Sequence, residues 1–155
     1  MGGQARGRLL REPVMPGVRP TSGRTREALF SMIGQNLDGV RFLDAFGGSG
    51  LVGLEAWSRG AEVCVIEKNR AIFRSLMRRG EELAATWQAM CGDVIYLTQR
   101  LGTFDVVFAD PPYKVEPSPI LGVLAPLTEK WLVFETAKDT HHLEPPSSSL
   151  LLDRR

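Results

Sequence analysis

Arg41-Phe42-Leu43-Asp44-Ala45-Phe46-Gly47-Gly48-Ser49-Gly50-Leu51-Val52-Gly53 is the stretch on which the fold of this chain turns. Arg41–Phe46 is a short apolar run, predicted to be a strand. The glycines follow it directly, and Leu51–Trp57 then reads as the start of a helix. Gly48, Gly50 and Gly53 match G-x-G-x-x-G, in which glycines permit a tight turn and let a ligand lie against helix N–H groups. Alone, this motif is shared with nicotinamide-dependent dehydrogenases. Asp44 tilts the reading, because a carboxylate ahead of the glycines suits a ligand's ammonium group and repels a pyrophosphate. Glu67 ends the next apolar run, Ala61–Ile66, and is expected to bind ribose hydroxyls, a role common to both cofactor classes. Asp93, after Ala89-Met90-Cys91-Gly92, ends a third strand and is placed to reach an adenine amino group.

Outward from this stretch, strands are predicted near 41–46, 62–67, 87–91, 104–109, 130–135 and 149–153. Helices are predicted near 24–36, 51–59, 69–84, 94–101 and 118–125. Such alternation gives a doubly wound, mostly parallel α/β sheet of the Rossmann-like kind. The chain has 155 residues, room for a single core. Residues 1–36 form a basic arm and helix within that domain, and 37–155 its cofactor-binding part. In the helix over 69–84, Ile72, Leu76 and Leu83 are expected to face the core, with Arg70, Arg74 and Arg78 on a solvated face. Trp57, Trp87 and Trp131 read as packing residues.

The second informative segment is Asp110-Pro111-Pro112-Tyr113, which follows the apolar strand Phe104–Ala109. It therefore sits at a strand's carboxyl end, where open α/β sheets put their ligands. Two prolines fix φ and donate no N–H, so the loop is stiff and rich in acceptors. Asp110 Oδ and a main-chain carbonyl of the loop can accept both hydrogens of one planar NH₂, and Tyr113 can stack on the ring that carries it. A plain strand-ending turn has the same composition, since Asp-Pro and Pro-Pro are common loop punctuation.

Together these pieces resemble the class I S-adenosylmethionine-dependent methyltransferases that act on exocyclic amino groups. Within them the chain is similar to the bacterial 16S rRNA guanine-N2 methyltransferases of the RsmD type. The resemblance is carried by Gly2-Gly3-Gln4-Ala5-Arg6-Gly7-Arg8, Arg19-Pro20-Thr21, Arg24, Arg26-Glu27 and Phe30. Asp44–Gly50, Gly53–Ala56, Ser58–Ala61 and Asp110–Tyr113 complete it. It implies S-adenosylmethionine as cofactor, S-adenosylhomocysteine as product and no metal. The implied cofactor residues are Thr21, Asp44, Phe46, Gly47, Gly48, Ser49, Gly50, Glu67, Asp93 and Val94. The implied catalytic residues are Asp110, Pro111, Pro112 and Tyr113. The substrate is expected to be 16S rRNA or the assembling small subunit, with guanine 966 the implied position. An adenine-N6 methyltransferase and a non-catalytic RNA-binding module that keeps the cofactor are the alternatives. Relatives also begin with an extra strand and end in one, inserted antiparallel beside the fifth, that this chain is expected to lack. The edge so left open is an association hazard for a protein otherwise expected to be a monomer.

Charge supports a nucleic-acid partner. Residues 1–30 carry Arg6, Arg8, Arg11, Arg19, Arg24 and Arg26 against Glu12 and Glu27, a net +4 that leaves −3 for the rest of a +1 chain. Arginine's planar fork suits phosphate, so Arg6, Arg8, Arg19, Arg24 and Arg26 are the expected RNA contacts. No apolar run approaches the ~18–20 residues that span a bilayer, and Met1–Arg6 lacks the apolar centre of a secretory signal. A cytoplasmic protein is expected. Cys64 and Cys91 fall in strands and read as buried thiols, and the His141-His142 pair has no metal-ligand spacing.

Overall fold

A computed structural model describes residues 23–136 and the backbone of 149–153. The elements are α1 (Gly23–Ile33), β1 (Arg41–Asp44), α2 (Leu51–Ser58), β2 (Glu62–Glu67), α3 (Arg70–Glu82) and β3 (Gln88–Cys91). They continue as α4 (Val94–Leu97) with a 3₁₀ turn, β4 (Phe104–Ala109), α5 (Pro117–Leu124) with a second 3₁₀ turn, β5 (Thr128–Thr136) and β6 (Ser149–Asp153). Local chemistry sets several of the starts. Asn69 accepts the amides of Ala71 and Ile72 and so caps α3, and Asp93 accepts that of Ile95 and caps α4. Pro117 opens α5, at a helical position whose N–H has no partner to lose.

The six strands form one sheet in the order β3-β2-β1-β4-β5-β6, and every pairing is parallel. As expected, no antiparallel strand stands beside β5 among the described residues, and β6 pairs with it in parallel orientation. Both faces of the central strands are buried, as a parallel sheet covered by helices requires. Phe42, Val63, Val65, Val106, Phe108 and Val133 pack on one face with Leu29, Phe30, Val52, Ala56 and Leu76 from α1, α2 and α3. Leu43, Cys64, Ile66, Val107, Ala109, Leu132 and Phe134 pack on the other with Val94, Ile120, Leu121 and Leu124.

α1 is held to the body by Arg59, whose guanidinium lies 4.5 Å over the Phe30 ring and pairs with Glu55 at 2.7 Å. Trp87 fills the space between α2 and α3. A Cβ on Gly80 would stand 2.7 Å from its indole nitrogen, and one on Gly53 3.3 Å from its ring. That packing explains a glycine inside α3, where helix propensity disfavours one.

Three expectations are corrected. Cys91 is exposed at the end of β3, an edge strand of the sheet among the described residues. Trp131 is 40% exposed near the start of β5, opposite Val106 and beside the irregular pairing between Phe104 and Val106. In α3 only Leu76 of the three expected apolar residues is fully buried. Ile72 is half-buried on a cleft wall, and Leu83 is half-buried at the helix end.

Candidate functional site

The strand order reverses between β1 and β4, since β1 leads toward β2 on one side and β4 toward β5 on the other. Ala45 N–H donates to the Phe108 carbonyl at 2.9 Å, so the two strands stay together until their loops diverge. A cleft of about 900 Å³ opens at this point. It is lined by Ala45–Ser49 after β1, Glu67–Asn69 after β2, Gly92–Ile95 after β3 and Asp110–Tyr113 after β4. Crevices at such reversals are where open α/β sheets take ligands.

The glycine loop is fixed from several directions. Gly47 N–H donates to the Ile66 carbonyl at 2.7 Å, and a Cβ at Gly47 would stand 2.5 Å from Val65 Cγ1. Gly48 and Gly50 have φ of 49° and 76°, the left-handed region that glycine enters without strain. Gly48 N–H donates to Glu67 Oε2 at 2.9 Å, and Asn69 N–H to Oε1 at 2.7 Å. Glu67 thus ties two loops together while keeping further lone pairs able to accept. Arg79 Nη1 donates to the Ser49 carbonyl at 2.7 Å. No sequence signal pointed to that contact, although Arg79 stands one place off the Arg70, Arg74 and Arg78 stripe and so on a different face of α3.

Asp44 lies beneath the loop and not on the cleft wall, with 1% of its surface exposed. Its Oδ2 accepts the Gly53 amide at 3.1 Å, while its buried Oδ1 makes no hydrogen bond. Burial pushes this carboxyl up to about 7; the amides of Gly53 and Phe46 pull it down and nearby Glu67 adds to the rise. Phe46, Ser49, Asp93 and Val94 all line the cleft, and Gly50 starts α2 behind it. Asp93 also pairs with Lys68 at 2.7 Å, which holds its carboxyl below the usual range, helped by the Ile95 amide. Lys68 was not singled out from the sequence, yet it stands on the same wall.

On the opposite wall the Asp110 side chain is half-buried and its Oδ1 is shielded from solvent. Pro111 is buried, Pro112 is exposed, and the Pro112 carbonyl accepts the Val115 amide at 2.9 Å in a tight turn. Tyr113 is 51% exposed at the rim. Arg24 is exposed and Arg26 half-buried on α1, and neither lines the cleft. Arg6, Arg8, Arg19, Thr21 and the histidine pair lie outside the described residues. Among the described residues no helix is long and apolar enough to cross a membrane, and no three His, Cys, Asp or Glu gather as a metal site would need.

The sequence profile of the family described as "Conserved hypothetical protein 95" matches residues 1–154. The chain belongs to this family, the RsmD family. Ribosomal RNA small subunit methyltransferase D of Escherichia coli K12 is 38% identical over 117 residues, covering 74% of this chain and 59% of that protein. The putative rRNA methyltransferase YlbH of Bacillus subtilis is 33% identical over 121 residues, covering 74% and 66%. The solved structure of a hypothetical protein of Thermus thermophilus superposes with a TM-score of 0.78 at 32% identity, covering 90% of this chain and 86% of that one. This chain therefore spans about 59–66% of the length of these two curated relatives. It shares with the family the doubly wound sheet.

Proposed function

We propose that this RsmD-family protein transfers a methyl group from S-adenosylmethionine to the exocyclic N2 amine of a guanine in small-subunit rRNA. The observation that carries this reading is the meeting, in one cleft, of the glycine loop, Glu67 and Asp93 with the Asp110–Tyr113 loop. The relatives named as rRNA methyltransferases supply the substrate class.

The residues present suit that cofactor. The volume of the cleft is within the range of cofactor pockets. Left-handed glycines open the backbone on the first loop, where no Cβ obstructs a close approach. Glu67 is suited to ribose hydroxyls and Asp93 to an adenine amine, with Phe46, Ser49 and Val94 around them. The buried Asp44 oxygen would be satisfied by an ammonium or a water relaying one. When bound, the cofactor supplies a methyl group activated on a sulfonium.

The remaining chemistry belongs to the protein. The guanine N2 lone pair is delocalised into its ring and is a weak nucleophile. Asp110 and the Pro111 carbonyl hold the two amine hydrogens, which aims the lone pair at the methyl group as the nitrogen pyramidalises. This contact strengthens in the transition state, where it lowers the barrier. The methylated nitrogen is acidic and releases one of those protons through Asp110 to solvent. Holding donor and acceptor across one cleft adds the proximity effect. Tyr113, half-exposed at the rim, stacks on a guanine already unpaired or flipped. A substrate of this kind places the protein in the cytoplasm. The test is transfer of labelled methyl from S-adenosylmethionine to small-subunit RNA, followed by nucleoside analysis. N2-methylguanosine is expected; N6-methyladenosine, or no transfer to naked or assembled RNA, overturns the reading.

A further inference from the structure

A second concavity of about 760 Å³ lies at the opposite, amino ends of β1, β2 and β4. Its charged lining is Arg41, Arg100 and Glu62, a net charge of +1, joined by the polar Thr86 and Gln88. Arg41 is held in one pose. Its guanidinium lies 5.2 Å over the Phe104 ring, and a Cβ on Gly102 would stand 3.2 Å from its Nη2. Gly102 has no positive φ, so its missing side chain serves space for the arginine and not the backbone.

The carboxylate of Asp105, beside Arg41, is already engaged. Asp105 Oδ1 pairs with Lys130 at 2.6 Å, and Oδ2 accepts the main-chain amide of Arg41 at 3.0 Å. Among the described residues neither the Arg41 nor the Arg100 side chain forms an ion pair. Thr86 Oγ1 accepts the Trp57 indole N–H at 3.1 Å, which leaves its own hydroxyl hydrogen to donate. The groove thus presents two guanidinium forks, a hydroxyl and an amide able to donate, against the single carboxylate of Glu62, around one open depression. Arginine forks fixed by stacking are suited to bidentate phosphate contact.

We propose that this groove is a phosphodiester-binding site that grips the backbone of a folded RNA at the far end of the sheet from the cleft. The choice of RNA rests on the function proposed above. Glu62 in the groove and Glu67 in the cleft are five residues apart on β2, at about 3.3 Å each, which separates the two sites by roughly 16 Å. A short single strand seated in the cleft does not extend there, whereas a folded RNA spans both ends.

The test is equilibrium RNA binding, read without turnover, by the full chain and by its Arg41→Gln/Arg100→Gln variant. Folding is checked by thermal melting and by S-adenosylmethionine calorimetry, both expected unchanged. Affinity for a folded small-subunit RNA fragment should fall about tenfold, and the slope of log K against log salt should flatten by almost two. A two-nucleotide strand carrying one guanine, too short to reach the groove, should bind both proteins equally. Arg100→Gln alone, at an exposed side chain, should flatten the slope by about one and decides the matter if the double variant misfolds. Unchanged folded-RNA affinity and slope overturn the proposal. Equal weakening toward the short strand also overturns it, by placing the arginines at the target. Absent methyl transfer, by contrast, sinks the proposed activity and leaves this binding result readable.

Discussion

The two loops that face each other across the cleft are made rigid by opposite means. The loop after β1 is fastened by other elements: Ile66 through a carbonyl, Glu67 through a carboxylate and Arg79 through a guanidinium. The loop after β4 is stiffened from within, by Pro111, Pro112 and the turn bond from Val115 to Pro112. A loop clamped from outside keeps its shape whether or not a ligand is there, as a cofactor seat should. A loop stiffened by its own covalent structure can hold an acceptor in place while leaving Tyr113 half in solvent, facing whatever docks from outside. Seat and presenting arm are therefore separable, and substitutions should split them.

The largest effect is expected on the presenting side. Asp110→Ala removes the acceptor proposed for the target amine while leaving the glycine loop intact. Loss of one preorganised charge-assisted contact of this kind costs about 3 kcal/mol of barrier, roughly a hundredfold in rate. Methyl transfer should fall by that factor while calorimetry finds S-adenosylmethionine binding within a few-fold of the parent. A folded variant that turns over at the parental rate would make the loop purely structural.

Gly47→Ala attacks the seat. Its new Cβ would stand 2.5 Å from Val65 Cγ1 and 2.8 Å from Leu76 Cδ1, both core side chains. Overpacking of this sort costs roughly 1–3 kcal/mol. The variant should melt several degrees lower and bind cofactor more weakly. RNA binding, if Tyr113 and the arm carry it, should survive. Equal loss of cofactor and RNA would mean the two loops are coupled after all.

Asp44 is a subtler part of the seat. The folded protein holds its proton up to about pH 7, whereas the unfolded chain releases it near 3.8. The native state binds more protons between those values, so this group makes stability fall as pH rises from about 4 to 7. Glu135, pushed up to about 6 by burial, adds a slope of the same sign between about 4.5 and 6. Asp44→Asn should remove the first part and leave the second. Urea melts at pH 5 and 7.5 should therefore show a shallower loss for the variant. A ligand ammonium beside Asp44 would favour the charged form, so cofactor affinity should rise with pH through 7 in the parent and not in Asp44→Asn. Superimposable stability curves would mean Asp44 is not the titrating group.

Much of the seat was legible because its signals are local. A buried parallel strand is apolar on both faces, so Phe42-Leu43 and Val106–Ala109 announce themselves, and glycines directly after a strand mark the turn. The Asp110 loop was legible because prolines act on their own backbone. What stayed hidden depends on facing between distant elements. Arg79 meets Ser49 only because α3 turns that side toward the glycine loop, and Lys68 meets Asp93 only because β2 and β3 end at the same level. Asp44 was rightly placed at a strand end, but its burial under Gly53 follows from how closely α2 lies on β1.

The smallest expected effect concerns Tyr113. If its ring stacks on the target base, the hydroxyl has little to do, and Tyr113→Phe should transfer methyl groups within about twofold of the parent. Tyr113→Ala removes the ring and should lose stacking worth ~1–3 kcal/mol, seen as a higher KM for RNA. Cofactor affinity should not move in either variant, because the seat is clamped from elsewhere. The comparison between the two variants matters more than either alone. A Phe variant as damaged as the Ala variant would mean that the hydroxyl, and not the ring, does the work. Tyr113 would then belong with Asp110 as a polar contact to the substrate, and the division between a clamped seat and a stacking arm would need to be redrawn at that residue.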